Sequence, residues 1–181
     1  MYHAVKVRIY PSPEQEQYLA QTFGNCRWLY NFMLNKTTTT YKETGKGLSK
    51  AAMDRLLPDL KREFEWLGIA YSQSLQRVTF NLSTAFQNFF EGHAKYPSFK
   101  NKFGKQSVGY PQNVTLLTEE KAIKFPAHWE LLKPYFIVLF PQVSKVVSLS
   151  LRPLKVSILH RLCSNLNQKE SLRKTLLSVW I

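Results

Sequence analysis

The sequence predicts an α+β fold in which one strand precedes a helical region and short strands follow it. Residues 4–10 alternate apolar and polar side chains, the period of a half-buried strand, and the same period returns from residue 107. Between them, apolar residues recur at helical spacing. Four regions are predicted: a first strand (1–11), a helical region (12–92), a basic loop with returning antiparallel strands (93–126), and a C-terminal tail (127–181).

The first helical stretch carries clear boundary signals. Ser12 is placed to act as N-cap, Pro13 as the first helical residue, and Gln15 completes a capping box. Gly24 is a candidate helix end, and the next residue, Asn25, is a candidate cap for a second helix that Gly45-Lys46-Gly47 ends. These signals predict a helix-turn-helix-like pair over 13–23 and 26–43.

Two more helices and a hairpin complete the predicted fold. Ser49 caps a third helical stretch that Pro58 is expected to interrupt, and Ser72 begins a longer helix. The apolar stripe of that helix consists of Leu75, Val78, Leu82, Phe86 and Phe89, and Gly92 ends it. The runs "SVGYPQNVTLL" and "AIKFP" predict short strands joined by a turn at "TEEK".

The net positive charge of the chain indicates a polyanionic partner. The 181 residues contain 25 Lys plus Arg against 12 Asp plus Glu, a formal charge of +13. Nucleic acid is the favoured partner; an anionic membrane surface is the alternative, and amide-rich helices suit it poorly. No secretory signal or membrane-spanning run is evident, so a cytoplasmic protein is expected.

The stretch "KYPSFKNKFGKQS" (95–107) concentrates this charge. It carries four lysines, and no acid occurs between Gly92 and Thr118. Its lysines can neutralise phosphates, while Tyr96, Phe99 and Phe103 can either stack on bases or anchor the loop to the core. A solvated charge run does not explain the missing acids and the interleaved aromatics.

Several motifs together resemble the N-terminal part of TnpB/OrfB proteins of bacterial insertion sequences. They are "VKVRIYPSPEQEQYLAQTFGNCRWLYNFML", "QSLQRVTFNLSTAFQNFFEG" and "KYPSFKNKFGKQSVGYPQNV", within a resemblance that covers residues 1 to about 126. The resemblance implies an RNA-guided DNA nuclease architecture: a wedge-like barrel, an inserted helical recognition lobe, and a RuvC-like nuclease domain with a zinc ribbon. DNA is the implied partner, with a guide RNA as a second one.

Candidate nucleic-acid-binding residues follow from these patterns. The first strand presents Lys6 and Arg8, the helix pair offers Arg27 and Lys36 as phosphate contacts, and the amide-rich helix is assigned to duplex recognition by analogy with a recognition lobe. Filling of a solvated face is the alternative for those amides. The predicted set is Lys6, Arg8, Arg27, Lys36, Gln73, Gln76, Arg77, Lys95, Tyr96, Lys100, Lys102, Lys105 and Tyr110.

No catalytic, metal or cofactor site is predicted for this chain. A RuvC-like site needs several acids for two divalent cations, and after residue 130 the chain has one acid, Glu170. A zinc ribbon needs paired cysteines, and Cys163 stands alone. The histidines show no ligand spacing, and no small-molecule substrate is predicted. The chain is therefore not expected to be an enzyme.

The tail departs from the family pattern just before His128. Residues 128–130 (His-Trp-Glu) must be encoded CAY-TGG-GAR, and a reading two bases later gives YTG-GGA, which encodes the Leu-Gly that the family's P-x-x-G turn needs. A frameshift is therefore inferred, so that residues 127–181 are a disordered or non-native tail; a divergent C-terminal domain is the alternative. The predicted function is that of a nucleic-acid-binding TnpB-like fragment without nuclease domain, and the rival is a free-standing helix-turn-helix DNA-binding regulator.

Overall fold

A computed structural model describes residues 2–8, 11–117, 122–126, 146–151 and 155–161, and for β1, β5 and β6 it describes the backbone. The elements follow the predicted order of strand, helices and strands. They are β1 (Tyr2–Arg8), α1 (Pro13–Thr44), α2 (Lys50–Glu63), a 3₁₀ helix (Glu65–Ile69), α3 (Ser72–Phe90), β2 (Gln106–Tyr110), β3 (Thr115–Leu117), β4 (Ala122–Lys124), β5 (Val146–Leu151) and β6 (Lys155–Arg161).

The predicted caps of α1 and α2 are confirmed. The backbone N–H of Gln15 donates to Ser12 Oγ at 3.3 Å, and the backbone N–H of Ser12 donates to Gln15 Oε1 at 2.9 Å. Gly45 ends α1 in the left-handed conformation (φ 72°), which a residue with a Cβ adopts only at a cost. Ser49 Oγ accepts a hydrogen bond from the backbone N–H of Ala52 and so caps α2.

The predicted break at Gly24 is wrong, because α1 is one continuous helix of 32 residues. Its buried stripe includes Leu19, Phe23, Cys26 and Met33, and it runs through the glycine at helical spacing. Gly24 costs the helix only about 1 kcal/mol relative to alanine, which burial of this face outweighs. Asn25 is no cap: its Nδ2 donates to the Trp66 carbonyl oxygen at 2.9 Å.

Pro58 does not interrupt its helix either, since it lies inside α2. A proline in a helix interior costs about 3 kcal/mol. The residues around it, Met53, Leu57 and Leu60, are all buried in the core, and each such side chain contributes about 1.5–3 kcal/mol. Their burial offsets the cost of the proline.

The core lies among the three helices and the inner face of β2. The predicted stripe of α3 is confirmed: Leu75, Val78 and Leu82 are buried, and Phe86 packs against the same cluster. Strand β2 alternates as predicted, with Val108 buried on its inner face. The returning strand is thereby attached to the helical region.

The six strands in the described part of the chain form two antiparallel sheets. One has four strands in the order β1-β6-β5-β2, and the other pairs β3 with β4. Leu117 lies opposite Ala122, so the predicted hairpin is confirmed, while its turn at 118–121 lies outside the described residues. The described strands form no closed barrel, so the barrel implied by the resemblance is not seen: β1 and β2 are the edge strands of the four-stranded sheet and do not pair with each other.

Part of the predicted non-native tail forms backbone strands. Strand β5 pairs with β2, and β6 pairs with β1, both antiparallel. The runs "VVSLSL" and "KVSILHR" contain Val and Ile, which favour extended backbone, and their apolar residues partly alternate with polar ones. The prediction that the tail is disordered is thus corrected for these two segments, while its origin in a shifted reading frame stays a prediction. The remaining residues of 127–181 lie outside the described part.

Candidate nucleic-acid interface

The basic loop, residues 93–105, is fixed to α1 by polar contacts. Asn31 Nδ2 donates to the Lys100 carbonyl oxygen at 2.9 Å, and Asn31 Oδ1 accepts from the Lys100 backbone N–H at 2.8 Å. The Tyr96 hydroxyl lies 2.8 Å from Thr38 Oγ1. Pro97 is buried between these two attachments. The loop therefore presents its side chains from a positioned backbone.

The three aromatic residues of the loop divide between the two roles that the sequence left open. The Tyr96 ring contacts Phe86 and Phe89 edge-on, at centroid distances of 5.7 and 5.2 Å, and so anchors the loop. Phe99 and Phe103 are 62% and 89% exposed, so neither anchors it. The two phenylalanines alternate with lysines on the surface.

The four loop lysines lie in two different settings. Lys95 and Lys102 are exposed and have no carboxylate partner within the described part of the chain. Lys100 Nζ lies 4.2 Å from the centroid of the Tyr30 ring, and desolvation lowers the pKa of its amine, with Cys26 opposing the shift. Burial raises the pKa of the Cys26 thiol to about 12, so that this cysteine is an inert core residue. Lys105 reaches a neighbouring cleft.

A basic cleft lies beside the loop, between α1, α3 and β2. Arg27 on α1 and Arg77 on α3 line it together with Lys100 and Lys105. Arg27 Nη1 donates to Gln106 Oε1 at 3.1 Å, whereas Gln106 Nε2 donates to the carbonyl oxygen of Asn101 at 2.7 Å. One glutamine thus fixes both an arginine on α1 and the closing turn of the loop.

Arg77 is positioned by its aliphatic stem and by an aromatic ring. A Cβ at Gly109 would lie only 3.0 Å from Arg77 Cγ, so the stem crosses β2 where a side chain is absent. The guanidinium carbon lies 4.6 Å from the centroid of the Phe80 ring. Arg77 makes no ion pair with any residue that the structure describes.

The remaining predicted residues lie apart from this cluster or outside the described side chains. Gln73 Nε2 donates to Gln112 Oε1 at 3.0 Å, and Gln76 and Lys36 are exposed. The side chains of Lys6 and Arg8 lie outside the described residues. They remain predictions.

Tyr110 does not extend the binding surface, which corrects its prediction as a contact residue. It is 1% exposed, because the alternation of β2 places Gln106, Val108 and Tyr110 on the inner face. Its ring packs 4.9 Å from Phe125, centroid to centroid, and burial raises the pKa of its hydroxyl.

Sequence reasoning missed the residues that hold the charged ones in place. Asn31 contacts Lys100, 69 positions away, and Gln106 contacts Arg27, 79 positions away. The sequence around Asn31 and Gln106 gives no indication of these contacts. Ser74 was also missed: it is fully buried, lines the cleft, and its hydroxyl has no hydrogen-bond partner among the described residues. Only the alternating pattern of β2 could have marked Gln106 as inward-facing.

The residues that the structure describes contain no group of three His, Cys, Asp or Glu side chains that could hold a metal ion. None of their helices combines the length and apolar character that crossing a membrane requires.

Comparison with known proteins gives one family match, over residues 1–46. The matching family is HTH_OrfB_IS605, described as a helix-turn-helix domain. In this chain the matched residues contain β1 and the single helix α1, which continues where a turn would separate two helices.

Three curated proteins resemble longer stretches. "Putative RNA-guided DNA endonuclease InsQ" of Escherichia coli (strain K12) is 30% identical over 125 residues, which are 68% of this chain and 31% of InsQ. "Virulence protein VsdF" of Salmonella dublin is 35% identical over 116 residues, 58% of this chain and 98% of VsdF. "Putative RNA-guided DNA endonuclease" of Streptomyces pristinaespiralis is 35% identical over 101 residues, 55% of this chain and 25% of that protein. The chain thus matches less than a third of either endonuclease.

Proposed function

Since the chain belongs to the TnpB/OrfB family of insertion-sequence proteins, we propose that residues 1–126 form a nucleic-acid-binding unit. The observation that carries the proposal is the basic loop. Lys95, Lys102 and two exposed phenylalanines face solvent, the loop contains no acid, and hydrogen bonds to α1 fix its backbone. Positive charge interleaved with exposed aromatic rings suits a strand that offers both phosphates and bases.

DNA is the proposed partner, with a guide RNA as a second one. Two of the relatives carry RNA-guided DNA endonuclease in their names, which supports this assignment. The exposed amide of Gln76 remains a candidate for duplex recognition, because a side-chain amide can pair with an adenine edge. The Gln73 amide is less suited to that role, since its Nε2 donates to Gln112 and its Oε1 is buried. Lys6, Arg8 and Lys36 are proposed as further phosphate contacts.

We also propose that the nuclease chemistry of such relatives is absent from these 181 residues, and that the reading frame of the gene changes near codon 127. The codon argument at residues 128–130 and the single acid after residue 130 support this. The coding DNA tests it: a frame shifted by two bases should continue into a segment with several acids and paired cysteines. Stop codons directly after codon 127 in that frame would contradict the proposal.

The nucleic-acid proposal is tested by replacing Lys95 and Lys102, the loop lysines that lie outside the cleft, with glutamine. The affinity of the full chain for duplex DNA should fall similarly across sequences, because these lysines neutralise phosphates rather than read bases. The plot of log affinity against log salt concentration should flatten by up to about 0.9 for each phosphate that is no longer neutralised. Fluorescence anisotropy at several salt concentrations measures both quantities.

A matched control removes the same charge from another part of the surface. Lys42 and Lys46 are exposed at the C-terminal end of α1, so the variant Lys42→Gln/Lys46→Gln should keep the wild-type salt slope. Equal losses in the two double variants would show that net charge alone attracts the DNA. An unchanged slope in the loop variant would remove the basis of the proposal.

The helix-turn-helix regulator remains a second candidate because the matching family carries that description. It requires a recognition helix that a turn separates from the helix before it. Residues 13–44 form one helix instead, which favours the loop over α1 as the binding element. Tight binding of one defined duplex, abolished by changes in residues 26–43 and retained in the loop variant, would favour the regulator.

A further inference from the structure

We propose that the cleft between α1, α3 and β2 binds one phosphate group of the nucleic-acid strand. This inference rests on the proposed function and gives it a single anchoring site. The cleft is lined by two arginines, two lysines, amides and hydroxyls, and none of the described residues that line it is a carboxylate. Four cations without a counter-charge repel one another, and an anion between them would relieve that repulsion.

The cleft is large enough for a phosphate group. Its volume is about 130 Å³, and it is partly open to solvent. A strand with one phosphate in the cleft would place its neighbouring bases near the exposed phenylalanines of the adjoining loop.

The cationic groups are held in place before any ligand arrives. Gln106 fixes Arg27, Gly109 and Phe80 position Arg77, and Asn31 fixes the backbone of Lys100. Guanidinium groups bind phosphate oxygens through paired N–H donors, and a positioned group loses less entropy on binding. The arrangement therefore favours a bound phosphate over loosely associated counter-ions.

The test uses the full chain and inorganic phosphate as the probe. Phosphate should raise the Tm saturably above that in sodium chloride of equal ionic strength. Phosphate also stabilises proteins generally, through exclusion from their surface, so the comparison with variants isolates the site. Arg77→Gln and Lys105→Gln should each weaken phosphate binding about tenfold or more, since each removes a charged hydrogen-bond donor that lines the cleft. The control Lys42→Gln/Lys46→Gln should behave as wild type.

A second arm replaces phosphate by an octamer of thymidylate without terminal phosphates, and it separates a strand phosphate from free phosphate. Loss of affinity for both probes in Arg77→Gln and Lys105→Gln supports the proposal. Loss of inorganic phosphate binding alone would overturn it, since the cleft would then serve free phosphate. Unchanged binding of both probes would also overturn it and leave the proposed function standing, provided that Lys95→Gln/Lys102→Gln still lowers affinity. Failure of the wild type to bind any nucleic acid would overturn the proposed function itself.

Discussion

Alanine at Gly24 should stabilise the protein, whereas alanine at Gly45 should destabilise it. Gly24 lies inside α1, where glycine is about 1 kcal/mol less favourable than alanine. A Cβ there would find its nearest neighbour, Arg27 Nη2, at 4.0 Å, an ordinary distance. Gly45 has a φ of 72°, and a residue with a Cβ pays about 1–2 kcal/mol in that conformation. The two variants should therefore differ by about 2–3 kcal/mol in free energy of unfolding.

Urea denaturation with equal slopes for the two variants measures this difference. Each substitution adds one methyl group to the same helix, so each serves as the control for the other. A loss of stability in Gly24→Ala would indicate a turn at that residue and restore the predicted pair of helices. A neutral Gly45→Ala would mean that α1 ends elsewhere.

The ends of the helices were predictable because they depend on local chemistry. Ser12, Gln15, Gly45 and Ser49 act within three or four residues of themselves, through hydrogen bonds that a short peptide can form. The apolar stripe of α3 was predictable for a similar reason, since the helical spacing of its apolar residues is visible within one continuous segment of the sequence.

The continuity of α1 depended on the balance between a local cost and distant packing. Gly24 followed by Asn25 is the pattern of a helix end and the N-cap of a second helix, so the local sequence alone predicts a turn at these residues. Packing decides otherwise: Leu19, Phe23 and Cys26 enter the same core on both sides of the glycine. Their spacing was visible in the sequence, but its energetic weight depends on partners in α2, α3 and β2.

The candidate site was predictable in composition and not in arrangement. The absence of acids in the loop predicted a positively charged surface. Which of Tyr96, Phe99 and Phe103 anchors the loop depends on residues of other elements, because Tyr96 contacts Thr38 on α1 and Phe86 on α3. The cleft has the same origin. Its two arginines lie 50 positions apart and meet only because α1 and α3 both pack on β2.

Replacement of Phe103 by alanine should weaken binding of single-stranded nucleic acid about 5- to 150-fold, since stacking on one aromatic ring is worth about 1–3 kcal/mol per base. The ring is 89% exposed and lies between Lys102 and Lys105, so a strand whose phosphates meet the lysines brings its bases within reach. Phe99, 62% exposed, should show a loss of the same kind. Each loss should be similar for thymidylate and adenylate oligomers, because every base has a face that stacks.

Stability separates stacking from a structural role. The unfolding free energy of Phe103→Ala should stay within about 0.5 kcal/mol of wild type, as for other exposed positions. Phe103→Leu keeps an apolar side chain without the aromatic face, so its affinity should fall nearly as far as that of the alanine variant. Tyr41→Ala, at an aromatic residue that is 54% exposed on the last turns of α1, is the control and should bind as wild type. If Phe103→Leu bound with full affinity, the ring would contribute only apolar contact and no stacking. If Phe103→Ala bound with full affinity, phosphate contacts alone would account for binding at this loop.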